Sequence, residues 1–161
     1  MPAYMNMLPL EGEATEANHK KWIIIQTMSS PIYRSIPEGA KDQQRTKGET
    51  TLGDVVIVRE LDKSSPKLIE ACANGTFFKE AVIEFCTTAN NKQERYLQYK
   101  LSDCIISSYS FFGGAKGDPV PTEQITLNYS KVEWTYYTVD PKTGTPKGNV
   151  PGKYSPGAGK S

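Results

Sequence analysis

Apolar residues in this chain recur mostly at every second position, the period of strands, and one segment alone carries the spacing of a helix. Trp22-Ile23-Ile24-Ile25-Gln26-Thr27-Met28 is a short β-branched run that predicts a strand, and Asp54 to Leu61 predicts the next. Phe77 to Thr87 predicts a third, closed by a polar turn over Thr88 to Gln93. Glu94 to Phe112 is too long for one flat strand. Leu97, Tyr99 and Leu101 keep one phase and Cys104 and Ile106 take the other, which predicts a bulge at Ser102-Asp103. Ile125 to Val139 switches in the same way, from Ile125, Leu127 and Tyr129 to Val132, Trp134 and Tyr136, placing a bulge at Ser130-Lys131. Long strands with mid-strand phase shifts suit a sheet that curls into a barrel or a tight sandwich.

The helix is Ser65 to Asn74. Ser65 is placed to cap its first turn, and Pro66 at the first helical position gives up only an N–H that has no partner there. Leu68, Ile69 and Cys72 share one face, with Ala71 beside them, and Asn74-Gly75 supplies the left-handed residue that stops the helix. The segment from Ser29 to Gly48 is long, polar and interrupted by Pro31, Pro37 and Gly39, a length that marks a functional or disordered connection. Residues 1–140 are expected to form one β domain, with 141–161, rich in Gly, Pro and Lys, as an extended or mobile tail.

A length of 161 residues fits that single domain. A formal net charge of +1 gives no global field to draw the chain to nucleic acid or acidic lipid. Nowhere do eighteen apolar residues follow one another, so no membrane insertion is expected, and Met1 to Glu13 lacks the pattern of a signal peptide. Cys72, Cys86 and Cys104 are an odd number without a CxxC and read as reduced core thiols.

Reactive chemistry finds little to stand on. His19 is the one histidine, between Asn18 and Lys20, and reads as solvated; with no Cys pair at ligand spacing, zinc is not expected. A Ser-His-Asp or Cys-His system would need that same histidine. Gly157-Ala158-Gly159-Lys160-Ser161 imitates the end of a phosphate-binding loop but lacks the earlier glycine, Tyr154 standing there, and the following helix. Glu60, Asp62, Glu123 and Glu133 are scattered carboxylates, read as surface or helix-start charge with a glycosidase-like pair as the remote rival. Arg34, Lys41, Arg45 and Lys47 in the long loop, with Tyr33 as their one aromatic neighbour, signal nucleic acid weakly and fit a solvated loop or an arm to a neighbouring subunit. No catalytic residue, metal or cofactor is assigned. A β body with long strands and no reactive cluster points to a structural or assembly protein, in which open edges are covered by identical subunits.

Three blocks carry a family resemblance. Leu61-Asp62-Lys63-Ser64-Ser65-Pro66-Lys67-Leu68 with Ala71 and Gly75-Thr76-Phe77-Phe78 is the first; Tyr96-Leu97, Leu101-Ser102-Asp103 and Ser107-Ser108-Tyr109-Ser110 form the second; Pro121 to Tyr136 is the third. In this order they resemble the haemolysin-coregulated proteins (Hcp), tube subunits of the bacterial type VI secretion system. The likeness runs from about Tyr4 to Tyr137, with Leu8-Pro9-Leu10-Glu11-Gly12 a looser version of the family's opening.

The resemblance implies a mainly β fold, a small β-barrel of two curled antiparallel sheets with one flanking helix and a long protruding loop. It implies six-membered rings that stack into a tube, a spike at the tip, a contractile sheath and effector proteins as partners, and no enzymatic activity. Assembly would be cytoplasmic, with export through the machine itself and no signal peptide. Ser29 matches a serine that faces the lumen in the family, with Gln26 and Thr27 just before it; Tyr33, Arg34, Lys41, Arg45 and Lys47 are the candidates for ring stacking. The alternative from another class is a carrier ring that shelters effectors and rarely polymerises.

Overall fold

The computed structural model describes residues 1–39, 41, 48–89, 91–113, 117 and 120–156. Among these described residues, eleven strands and one helix follow in the order β1 (Ala3–Asn6), β2 (Ile23–Ile25), β3 (Thr27–Ser29), β4 (Ile32–Arg34), β5 (Thr50–Leu52), β6 (Val55–Glu60), α1 (Ser65–Asn74), β7 (Phe77–Ala89), β8 (Lys92–Phe112), β9 (Thr122–Asn128), β10 (Lys131–Val139) and β11 (Pro146–Tyr154). The chain is mainly β, as its alternation demands. Nine strands share one antiparallel sheet with the path β2-β1-β7-β8-β9-β6-β3, β10 branching from β8 and carrying β11, while β4 and β5 form a separate two-stranded ribbon.

The two ends of that path are consecutive pieces of chain. The expected strand from Trp22 to Met28 breaks at Gln26, so that β2 pairs with β1 while β3 pairs with β6. The Gln26 N–H donates to the Val58 carbonyl and the Arg59 Nε donates to the Ile24 carbonyl across this seam. A sheet whose first and last strands are one residue apart must curl, and its inner face becomes the core. Met5, Ile23, Val55, Ile57, Ile83, Leu101, Cys104, Ile106, Ile125, Leu127 and Val132 fill it.

The phase shifts appear where alternation fails. In β8 the buried parity passes from Leu101 to Cys104 and Ile106, with Asp103 at φ 56 absorbing the extra residue. The segment from Ile125 to Val139 is two strands and not one. Both lie along β8, β9 opposite Ile105 to Phe112 and β10 opposite Leu97 to Ser102, with Tyr129-Ser130 as the joint.

Helix α1 packs its Ser65, Leu68 and Ala71 side on the core, whereas Ile69 stands 44% exposed, so the buried face is rotated from the expected one. The cap also differs. Ser65 does not cap the helix; its Oγ accepts from the Asp62 N–H and donates to Glu123, while the Asp62 carboxylate accepts the Ser64 N–H at 2.7 Å. Gly75, at φ 64, stops the helix as expected, its N–H and that of Thr76 returning to Cys72 and Ala71.

The polar segment after Ser29 is partly ordered: β4 pairs with β5 as a projecting ribbon. At its root the Gly53 N–H donates to the Pro31 carbonyl at 2.9 Å; at its outer end the Ser35 N–H donates to the Glu49 carbonyl, and a Cβ on Gly48 would fall 1.5 Å from the Ser35 carbonyl oxygen. The tail contains β11, hydrogen-bonded along β10 from Val132–Tyr154 to Val139–Pro146, so this extended arm is pinned to the body and not loose.

Candidate functional site

The strands β3, β6, β9 and the end of β8 lie side by side, and their pairing fixes which side chains share a face. Ser29 is opposite Val56, Val56 opposite Thr126, and Thr126 opposite Ser108; Thr27, Val58, Gln124 and Ser110 form the next row. The intervening residues Ile57, Ile125 and Leu127 point into the core, so these two rows face outward. The result is a sheet face of small and polar side chains. Ser107 and Ser108 both hydrogen-bond Thr126 Oγ1, at 2.6 and 2.7 Å, and Asp54 accepts from Ser107 and Asn128 where the rows end. Thr27 and Ser29 are exposed on this face, and Gln26, also exposed, sits at its corner with its amide on Glu60 at 3.3 Å. The structure thus brings the sequence candidates together and adds Ser108, Ser110, Gln124 and Thr126. Their signal was the polar half of the alternation in Ser107-Ser108-Tyr109-Ser110 and Thr122 to Asn128, which periodicity treats as mere solvent face.

The second set of candidates lies on or beyond the β4–β5 ribbon. Tyr33 is 61% exposed, Arg34 Nη1 donates to Thr50 Oγ1 at 3.3 Å, and Lys41 is exposed. Arg45 and Lys47 lie outside the described residues. Ile32 and Ile36 are exposed beside Tyr33, an apolar component that the charges in the sequence had masked.

Two buried polar networks brace the body, the first of them directly behind this face. Arg59 on β6 is 1% exposed and Glu123 on β9 wholly buried; they form an ion pair, and Arg59 Nη2 also meets Asp62 at 2.6 Å. Ser65 from the helix and Tyr109 from β8 donate to the same Glu123 carboxylate, so with Arg59 three elements converge on an anion carried by a fourth. Burial drives the Asp62 carboxyl upward, but hydrogen bonds from Ser64 and Arg59 and the charge of Arg59 outweigh it and leave it below its ordinary value.

The other network corrects an expectation. His19 is not solvated: it is 2% exposed, stacked on Tyr4 at 4.5 Å with Trp22 edge-on at 4.7 Å, and its two ring nitrogens meet Glu16 and Glu84. The second Glu84 oxygen takes Arg95 at 2.9 Å and Gln98 at 2.6 Å. Cys86 Sγ lies 3.9 Å from His19 Nε2, which sketches a Cys-His-Glu constellation. It lacks a nucleophile. The thiol is buried, and burial with the charges of Glu84, Glu16 and Glu94 pushes it up to about 12, while Nε2 is already given to Glu84 at 2.8 Å. Among the described residues no group of three or more His, Cys, Asp or Glu is arranged for a metal ion, and no helix is long and apolar enough to cross a membrane.

Glu84, too, is pushed up by burial and pulled further down by Arg95, His19 and Gln98. For Asp62 and Glu84 the folded value lies below the unfolded one, so their stabilisation is complete above about pH 4.5 and is lost as pH falls below that range. Thermal melts from pH 7 to pH 3 should therefore show a falling midpoint below about pH 4.5, and Glu84→Gln should flatten that fall.

The chain is similar in sequence and in fold to known secretion proteins. The family described as "Type VI secretion system effector, Hcp" matches residues 4–136. Protein hcp1 of Pseudomonas aeruginosa is 32% identical over 83 residues, 52% of this chain and 51% of the relative, so this match spans about half of that protein. The Major exported protein of the same organism is 27% identical over 131 residues, 78% of this chain and 74% of the relative. A solved type six secretion system protein superposes with a TM-score of 0.89 at 27% identity, covering 99% of this chain and 98% of that one. This is a secretion family and not an enzyme family. The chain belongs to the Hcp family of type VI secretion proteins.

Proposed function

We propose that the chain is a structural subunit of the type VI inner tube, working as a ring of six copies whose stacked lumens form the bore. The outward face of β3, β6, β9 and β8 carries this reading, because its two rows are built from Thr27, Ser29, Gln124, Thr126, Ser108 and Ser110 with only two valines among them. A wall of small hydroxyls and amides wets readily and offers no large apolar patch, so cargo slides along it without sticking. Gln26, Thr27 and Ser29 line the bore in this reading. The same wall, met by a protein that fits the ring, serves as the contact of a carrier that shelters an effector before export, and the carrier role is a second use of one surface.

Stacking falls to the β4–β5 ribbon, through Tyr33, Arg34, Lys41, Arg45 and Lys47 together with the exposed Ile32 and Ile36. Exposed ion pairs contribute at most about 1 kcal/mol each, so rings alone stack reversibly and the spike or the growing sheath sets where polymerisation proceeds. Assembly takes place in the cytoplasm, and the contracting machine carries the subunit out.

Two substitutions separate these roles. Ser29→Gln adds bulk to the bore and should abolish stabilisation of a co-expressed effector while negative-stain images still show rings and tubes; an unchanged effector yield would remove this face from the lumen. Gly48→Ala forces the outer end of the ribbon apart at Ser35 and should reduce tubes to single rings at equal protein concentration, whereas tubes of undiminished length would free the ribbon from stacking.

A further inference from the structure

A head-to-tail ring needs two different surfaces on each copy that fit one another. We propose that β11 of one copy docks by its free edge into an acidic groove at the β2–β6 seam of the next, and that this contact closes the ring; the inference rests on the ring reading above. Strand β11 pairs with β10 on one side and, among the described residues, with nothing on the other. Pro146 and Pro151 lack the N–H that strand addition requires, so side chains and not a backbone ladder must make the contact. Residues 141–156 hold Lys142, Lys147 and Lys153 and no Asp or Glu. Val150 stands 65% exposed on the face it shares with Tyr136, Lys153 lies on the other face opposite Glu133, and Lys147 is the unpaired residue where the register shifts beside Thr138 and Val139.

The groove has the opposite character. About 330 Å³ in volume, it is lined by Glu13, Ile24, Gln26, Arg59, Glu60, Leu61 and Asp62. Its one cation, Arg59, is turned inward onto Glu123 and Asp62, which leaves the exposed Glu13 and Glu60 to set the sign of the rim. Ile24, 47% exposed, and the half-buried Leu61 supply the apolar floor. A strand segment that carries three lysines and no carboxylate thus meets a groove whose exposed charges are both acidic. Such matching steers the encounter and fixes its register. Within this chain the groove lies where the two ends of the sheet path meet, and β11 lies on the branch from β8, so no copy satisfies itself through the same strands.

Charge reversal tests the pairing directly, because all four residues are exposed. Lys147→Glu with Lys153→Glu, and separately Glu13→Lys with Glu60→Lys, should each lose the six-chain species in native mass spectrometry at a concentration where the parent holds it. All four changes in one chain should restore it. Circular dichroism and melting midpoints equal to the parent's show that each variant folds. Rings that survive either pair of changes, or a fourfold variant that folds without recovering rings, overturn the docking while leaving the ring reading intact; a basic partner other than a second copy would give the latter result. A parent chain that forms no ring at all removes both.

Discussion

Arg59→Ala should destabilise the fold by about 3–5 kcal/mol, because removing one partner strands a buried charge without compensation. Glu123 lies fully buried, and Arg59 is the cation that meets it. At the size of this domain such a loss lowers the melting midpoint by roughly 6–20 °C. The cost should concentrate at the joint between helix and sheet. Arg59 also holds Asp62 just before α1, and Ser65 and Tyr109 depend on the same carboxylate, so protection of amides in α1 should fall first in hydrogen exchange. Arg59→Met combined with Glu123→Leu removes both charges and should recover a large part of the loss. A single substitution no worse than the double would mean that the pair is not coupled.

His19→Ala should cost about 2–4 kcal/mol, from the cavity left between Tyr4 and Trp22 and from carboxylates that lose a buried partner. The histidine is the keystone of the segment from Gly12 to Trp22, whose backbone closes on itself through Gly12, Ala14, Lys21 and Trp22. Through Glu84 it ties that segment to β7, and through Arg95 and Gln98 to β8. The expected signature is therefore structural: a lower melting midpoint and faster proteolysis within residues 12–22. Urea denaturation that shows less than 0.5 kcal/mol of change would contradict this account of the network.

These networks mark the boundary of what the sequence could disclose. Alternation located β6, β7 and β8 because a strand with one buried face must repeat every two residues. The same rule exposed the irregularities at Asp103 and near Ser130, where the bulge expected at Ser130-Lys131 is a joint between two strands, since a slipped phase has to be absorbed locally. It failed where partners decide. Nothing local in Trp22 to Met28 shows that the chain leaves β1 for β6 at Gln26, and nothing in Asn18-His19-Lys20 shows that Glu84, sixty-five residues away, waits for the imidazole. Glu16, three residues before His19, was the one nearby sign. The helix face was misjudged at one edge for the same reason: Leu68 is buried and Cys72 packs on the core as their spacing requires, but the position of β8 turns Ser65 and Ala71 inward and leaves Ile69 exposed.

The candidate bore was half legible. Ser29 and its neighbours entered through a family resemblance, whereas Ser108, Ser110, Gln124 and Thr126 became visible only when β9 and β8 were seen beside β6. Polar residues on a strand look alike whether they face bulk water or an enclosed channel. The charges of Arg34 and Lys41 alone understated the apolar part of the ribbon, where Ile32 and Ile36 stand exposed.

Native mass spectrometry of the purified chain, paired with negative-stain imaging of the same sample, tests the central claim most directly. The account predicts a species of six 17.8 kDa chains that appears as closed annuli with an open centre. A monodisperse single chain at high concentration, with no annuli under any condition that preserves the fold, would contradict it.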